Sequence, residues 1–325
     1  MKKKIWVIGI GGVALVLLLG VLVRESRQSG RIVGIVQIAA HPALDSIREG
    51  VIDELTVQGF GSKNKIRIET QNASGQMPMA RSICDKFVAE GASVIIPIAT
   101  PTSQAAAGST TKVPIVFGAV TDPINAGLVS SMEKPGKNIT GVSDIWPIRQ
   151  QIQLIVEFLP NTKAIGVIFN PGEANNDATM PLMRRACADM HLDLKEATIS
   201  SVTEIQSAAS SLIGKVDVFY NATDSIVVSG LESLVKVARD NRIPLFVGDV
   251  DSVERGGIAA LGINYNRVGH LTGELAARVL RGENPGNIPV VIVKDFDLVI
   301  NKSAAQKMGV TIPEAVLKRA KRIIE

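Results

Sequence analysis

Aromatic residues make up only 4% of this 325-residue chain, with two tryptophans and two tyrosines. Hydrophobic residues still reach 46%, so the core must be built from alanine, valine, isoleucine and leucine. That composition suits layered α/β architecture better than a β-sandwich. Cysteine is nearly absent. Cys84 and Cys187 lie 103 residues apart on predicted helices and cannot form a disulfide framework. They are expected as small buried hydrophobes. Only three histidines are present, and no H-E-x-x-H, paired C-x-x-C or Walker A pattern accompanies them. Metal and nucleotide sites therefore find no support, and no cofactor is expected. His191 and His270 read as ordinary helix residues.

The chain also lacks a net charge where it folds. Its formal charge is +4, but Lys2, Lys3, Lys4, Arg24 and Arg27 lie near the N-terminus, and from Arg31 onward basic and acidic residues balance at 30 each. A balanced globular part gives no electrostatic footprint for nucleic acid. The uncharged run from Ile5 to Val23 is long enough to cross most of a bilayer core of about 30 Å. "GIGG" from Gly9 lies inside this run and is no phosphate loop. Lysines before the run hold that end in the cytoplasm and place the rest outside. The exit Val21-Leu22-Val23-Arg24-Glu25 is a poor cleavage site, and no cysteine follows for lipidation. An uncleaved signal anchor in the membrane is expected, with an extracytoplasmic globular part.

What is present is alternation. "RIVGIVQI", "KIRIET", Val94–Ala99 and "VPIVFGA" read as strands, separated by helical stretches. The first of these helices carries Leu44, Ile47, Val51 and Leu55 on one stripe. Around 144–160 the pattern resets. "AIGVIFN", "LDLKEA", "VDVFYNA" and "IPLFVG" form a second series, with helices predicted near 177–190, 202–213 and 225–241. Strand–helix alternation specifies parallel sheets with helices on both faces. The tail adds "GIAALGI", a helix 265–281, "VVIVKDFDLVIN" and a short C-terminal helix. It belongs to neither series alone, so the chain is expected to cross between two lobes more than once. Gly269 and Gly273, four apart, predict a helix packed closely on a sheet.

Ligands of open parallel sheets bind beyond the carboxyl ends of the strands. The first series exits into His41, into Thr100, Thr102 and Ser103 at a helix start, and into Asp122. The second exits into Glu173, Asn175 and Asn176, into Asn221, Asp224 and Ser225, and into Asp249. Singly these are turn formers. Together, helix N-termini with hydroxyls on one edge and carboxylates on the other match a zwitterion. Thr102 and Ser103 are expected at a carboxylate, and Asp224 or Asp249 at an ammonium. Trp146 stands after the first series, either stacking on a flat ligand or covering the hinge.

The stretches "HPALDSIREG", "ATPTSQAAA", "PIVFGAVTDPINAGLV", "NITGVSD", "FNPGEANN", "YNATDS" and "GINYNRVGHLTGELAARVLRGENPGNIPV" span nearly all of residues 31–325. In that order the chain resembles the substrate-binding proteins of ABC transporters with the type I periplasmic fold. It is close to the branch that includes binders of tryptophan and other aromatic amino acids. The resemblance implies two Rossmann-like lobes joined by three crossovers. One lobe would span residues 31–143 with 264–296 and the other 144–263 with 297–325, behind a segment 1–30 of anchor and linker. It further implies capture of a small solute, an aromatic or branched amino acid first, for an ABC permease and its ATPase. A membrane-tethered sensor is the alternative. Enzyme chemistry is not expected, because Ser103 and Ser225 have no histidine at plausible spacing to activate them.

Overall fold

The computed structural model describes residues 31–61 and 66–325. The expected N-terminal anchor lies outside the described residues. Among those described, no helix is long and apolar enough to cross a membrane.

The first series forms β1 (Arg31–Gln37), β2 (Ile66–Asn72), β3 (Val94–Ile98), β4 (Ile115–Val120) and β5 (Ile139–Ser143), with helices α1 (Pro42–Val57), α2 (Met77–Ala89) and α3 (Thr100–Ser109). β3, β4 and β5 are buried at every position, as a parallel sheet covered on both faces requires. The second series begins with α4 (Ile148–Phe158). It continues through β6 (Ala164–Phe169), α5 (Ala174–Asp189), β7 (Asp193–Thr198), α6 (Ile205–Ser211), β8 (Val218–Asn221), α7 (Ser225–Ser229), α8 (Leu231–Asp240), β9 (Leu245–Val247) and α9 (Asp251–Glu254). Then come β10 (Ala259–Ile263), α10 (Tyr265–Leu280), β11 (Val291–Ile292), β12 (Phe296–Asn301), α11 (Lys302–Lys307), α12 (Glu314–Leu317) and β13 (Arg322–Ile324).

Two parallel sheets result, ordered β11-β5-β4-β3-β1-β2 and β7-β6-β8-β9. A third, β10-β12-β13, extends the second lobe, since Ile258 beside β10 donates its N–H to Leu245 O of β9 at 2.8 Å. The chain thus leaves the first lobe after β5, returns after β10 and leaves again after β11. The stretch "VVIVKDFDLVIN" forms two strands, β11 and β12, one in each lobe. Alternation reports that a strand is half buried, not which sheet it joins. The predicted helix 225–241 is likewise two, α7 and α8. At their junction a Cβ on Gly230 would stand 2.5 Å from Val202 Cγ1. His191 lies just beyond α5 with φ 56°, in the turn rather than the helix.

The glycines of α10 pack on α1, not on a sheet. A Cβ on Gly269 would lie 2.3 Å from Ile47 O, and one on Gly50 2.5 Å from Asn266 O. The two helices touch backbone to backbone, which only glycine permits. This contact fixes α10, and with it the returning crossover at Tyr265, to the first lobe. Cys84 and Cys187 are buried and unpaired, and burial pushes their thiols up to about 12 and about 11.

Gly269→Ala places a methyl against main chain that cannot rotate away. It should destabilise the protein by about 1–3 kcal/mol in urea unfolding. An unchanged midpoint would show that the helices separate without cost.

Candidate functional site

The carboxyl edges of the two parallel sheets face each other across a cavity. Its atom-free space, open solvent included, is about 410 Å³. The first lobe supplies His41 and Leu44 after β1, Thr100 after β3 and Thr121 after β4. Across from them stand Asn175 at the start of α5, Thr223 and Ser225 after β8, and Asp249 after β9. The crossovers bring Asp144, Trp146 and Tyr265 between the lobes. Among the described residues, no lysine or arginine lines the cavity.

Backbone strain concentrates here. Six non-glycine residues among those described have positive φ, and Ala99 (78°), Ala119 (56°) and Thr223 (65°) line this cavity. Each such residue costs on the order of 1–3 kcal/mol and persists where its surroundings hold it. Ala99 is held by its N–H to Gly118 O at 2.9 Å. Ala119 occupies a register shift between β4 and β5, a bulge that turns the strand exit toward the cavity. Strain at Ala99 opens α3 without a cap, since no side chain bonds its first turn. The first turn of α1 is uncapped in the same way. Two helix N-termini of one lobe therefore present free N–H groups and positive dipole ends at the cavity.

Carboxylates stand on the other side. Asp144 is 4% exposed. It accepts from the Tyr265 hydroxyl at 3.2 Å and from Thr121 Oγ1 at 3.4 Å. Burial outweighs these bonds and pushes its carboxyl up to about 7. Burial likewise raises the Tyr265 hydroxyl, which stays a phenol at neutral pH. Its ring meets Trp146 edge-on, with centroids 5.9 Å apart. Asp249 accepts the Ser252 N–H at 2.7 Å and the Ser252 hydroxyl at 2.6 Å, and burial raises its carboxyl as well. His41 is driven the other way. Burial, then the positive Arg255, lower its imidazole to about 3, so the ring is neutral. His41 Nδ1 and Asn175 Oδ1 are both buried without a hydrogen-bond partner.

Of the residues expected at a ligand, His41, Thr100, Trp146, Asn175, Ser225 and Asp249 line this cavity. Thr102 and Ser103 lie one step deeper, and both hydroxyls donate back to Ala99 O, at 3.1 and 2.8 Å. Asp122 belongs to a turn, accepting the Asn125 N–H at 3.0 Å. Asp224 caps α7, accepting from Ile226 and Val227 N–H at 3.0 and 2.9 Å. It also binds Asn170 N–H at 2.7 Å and Asn176 Nδ2 at 2.8 Å. Glu173 accepts the N–H groups of Ser225 and Ile226 at 3.1 and 3.2 Å. Burial, then Asp224, push its carboxyl up to about 8. Asn221 is fully buried, and its side-chain amide has no partner. Sequence reasoning missed Asp144 and Tyr265; Thr121 and Thr223 stand in the strand exits it read but were not singled out as ligand contacts. Asp144 and Tyr265 were hidden because each follows a strand into a crossover, where a polar residue reads as linker or helix start.

Residues 32–324 match the family model described as ABC transporter substrate binding protein. The chain belongs to this family. It is a binding component, not an enzyme, and such components are extracytoplasmic. A tyrosine-binding protein of Clostridioides difficile is 38% identical over 276 residues, 85% of this chain and 80% of that protein. A domain from Streptococcus pneumoniae in complex with L-Trp is 33% identical, with TM-score 0.87 over 91% of this chain and all of that one. The ligand-free, open structure of a substrate binding protein with adhesive properties from Clostridium difficile is 35% identical over 90% of this chain and 99% of that one. Its TM-score is only 0.67. At nearly equal sequence identity, the backbone of this substrate-binding protein is thus more similar to that of the L-Trp complex than to that of the ligand-free, open structure.

The buried carboxyls predict a pH dependence for the ligand-free protein. A raised carboxyl keeps its proton in the folded state where the unfolded chain has lost it, so stability falls as pH rises toward the folded value. His41 acts oppositely, but only below its unfolded value near 6.5. From about pH 6.5 to 8, stability should fall by up to about 1.4 kcal/mol per pH unit through Glu173, with Asp144 adding to the fall only up to about pH 7. Glu173→Gln should remove most of that fall in pH-dependent urea unfolding. A rise over this window would contradict the assignment.

Proposed function

We propose that this substrate-binding protein captures an amino acid with an aromatic side chain as its zwitterion and presents it to an ABC permease driven by its ATPase. The observation that carries this reading is the division of polarity in the cavity. Uncapped helix N-termini face it from one lobe, and Asp144 and Asp249 face it from the crossover and the other lobe. With no lysine or arginine in the wall among the described residues, N–H groups of α1 and α3 and the Thr100 hydroxyl are the donors for a carboxylate. Asp144 and Asp249 accept an ammonium. Trp146, Tyr265, Leu44 and Val228 offer area for a ring. The similarity to the tyrosine-binding protein and to the L-Trp complex supports the same reading.

The moving units in this proposal are residues 31–143 with 264–296 and 144–263 with 297–325, hinged at the three crossovers. The run Ile5–Val23 serves as an uncleaved anchor that keeps both lobes at the outer face of the membrane. Thr102, Ser103 and Asp224 support the site from behind, because their polar atoms already serve the protein's own backbone.

Calorimetry and thermal shift with a panel of L-amino acids test this. A bound ligand at a hundred times its dissociation constant should stabilise the protein by about 2.7 kcal/mol. Asp144→Asn and Asp249→Asn should each cost about 2–5 kcal/mol of binding, because a buried ammonium loses its counter-charge. Asp224→Asn should lower stability more than affinity. Wild-type binding by both Asp144→Asn and Asp249→Asn would show that no ammonium is held there. Small-angle scattering should also show a smaller radius of gyration with ligand than without; an unchanged curve would refute closure.

A further inference from the structure

We infer that the ligand's ring carries a neutral hydrogen-bonding group, a phenol or an indole N–H, and that the site discriminates against phenylalanine. The inference rests on the amino-acid reading and deepens it. Its starting point is the pair of buried, unpartnered atoms in the cavity wall, Nδ1 of His41 and Oδ1 of Asn175. The two residues are 7% and 9% exposed. They come from opposite lobes, His41 from the N-cap position of α1 and Asn175 from the first turn of α5. Both line the same cavity, so a ligand held between the lobes can meet the two together.

The charged ends of the ligand are not suitable partners. An ammonium is drawn to Asp144 and Asp249, which carry full charge when ionised. A carboxylate is repelled by a carbonyl oxygen such as Asn175 Oδ1, and it gains no counter-charge from an imidazole that Arg255 and burial keep neutral. What remains on a zwitterionic amino acid is the side chain. A neutral imidazole and an amide each exchange single hydrogen bonds with a neutral O–H or N–H. The hydroxyls of Thr100, Thr121, Thr223 and Ser225 rotate to suit either role and enforce no such choice. A hydrocarbon ring leaves both unpartnered atoms dry and unpaired, and sites that hydrogen-bond a substrate group reject analogues lacking it for this reason.

The test is calorimetry of the full chain against L-tyrosine, L-tryptophan, L-phenylalanine and L-leucine. Tyrosine, tryptophan or both should bind about 10–100-fold tighter than phenylalanine. His41→Leu and Asn175→Leu should each narrow that ratio by weakening the polar ligand while phenylalanine holds or gains. Wild-type protein that binds phenylalanine within threefold of its tightest ligand overturns the inference and leaves the amino-acid reading standing. A ratio unchanged in both variants also overturns it. Failure of all four amino acids to bind overturns the reading beneath it, and the inference with it.

Discussion

A carboxylate buried without a cation is the constraint on which the rest of this molecule turns. Neither Asp144 nor Asp249 has a lysine or arginine within ion-pair distance among the described residues. Hydroxyls and one N–H are their bonding partners. Ionisation in so dry a place is unfavourable until a positive group arrives. The protein therefore holds negative charge in reserve at the point where its lobes meet. The cation that completes the site must come from outside, and it is most strongly held when the lobes exclude water.

Two structural devices keep that reserve in position. The glycine contact between α1 and α10 fastens the returning crossover to the first lobe, so Tyr265 reaches Asp144 from a rigid helix start. In the second lobe, Gln151 of α4 is fully buried. Its amide donates to Gly248 O at 3.0 Å and Leu261 O at 2.8 Å, and it accepts from the Tyr220 hydroxyl. Gly248 precedes Asp249, so the helix that follows Asp144 and Trp146 also fixes the turn that carries Asp249. Both supports hold Asp144, Tyr265 and Asp249 in place around the cavity.

The fold was largely legible because it depends on period and order. Leu44, Ile47, Val51 and Leu55 announce a helix, and two strand–helix series announce two parallel sheets. The site was legible only in part, because strand exits reveal which turns face the cleft but not which atoms are free. Asp224 and Asp249 look alike in sequence. The four donors around Asp224 and the two from Ser252 on Asp249 depend on distant or folded neighbours. Asp144 and Tyr265 gain their meaning from a contact spanning 121 residues. Ala99 and Ala119 were unreadable, since nothing about alanine signals a positive φ. The division of "VVIVKDFDLVIN" between lobes near residue 296 follows from the family resemblance and not from the hydrophobic period, which both halves share.

The most direct measurement is the proton balance of binding near pH 6.5, by calorimetry in buffers of different ionisation enthalpy. The Asp144 carboxyl, pushed up to about 7 by burial, is largely protonated there. An ammonium ligand favours the ionised form, so binding must expel a proton. The account predicts release of roughly half a proton or more per ligand bound, following the fraction of Asp144 that is protonated at that pH. Proton uptake, or none exchanged at all, would contradict it.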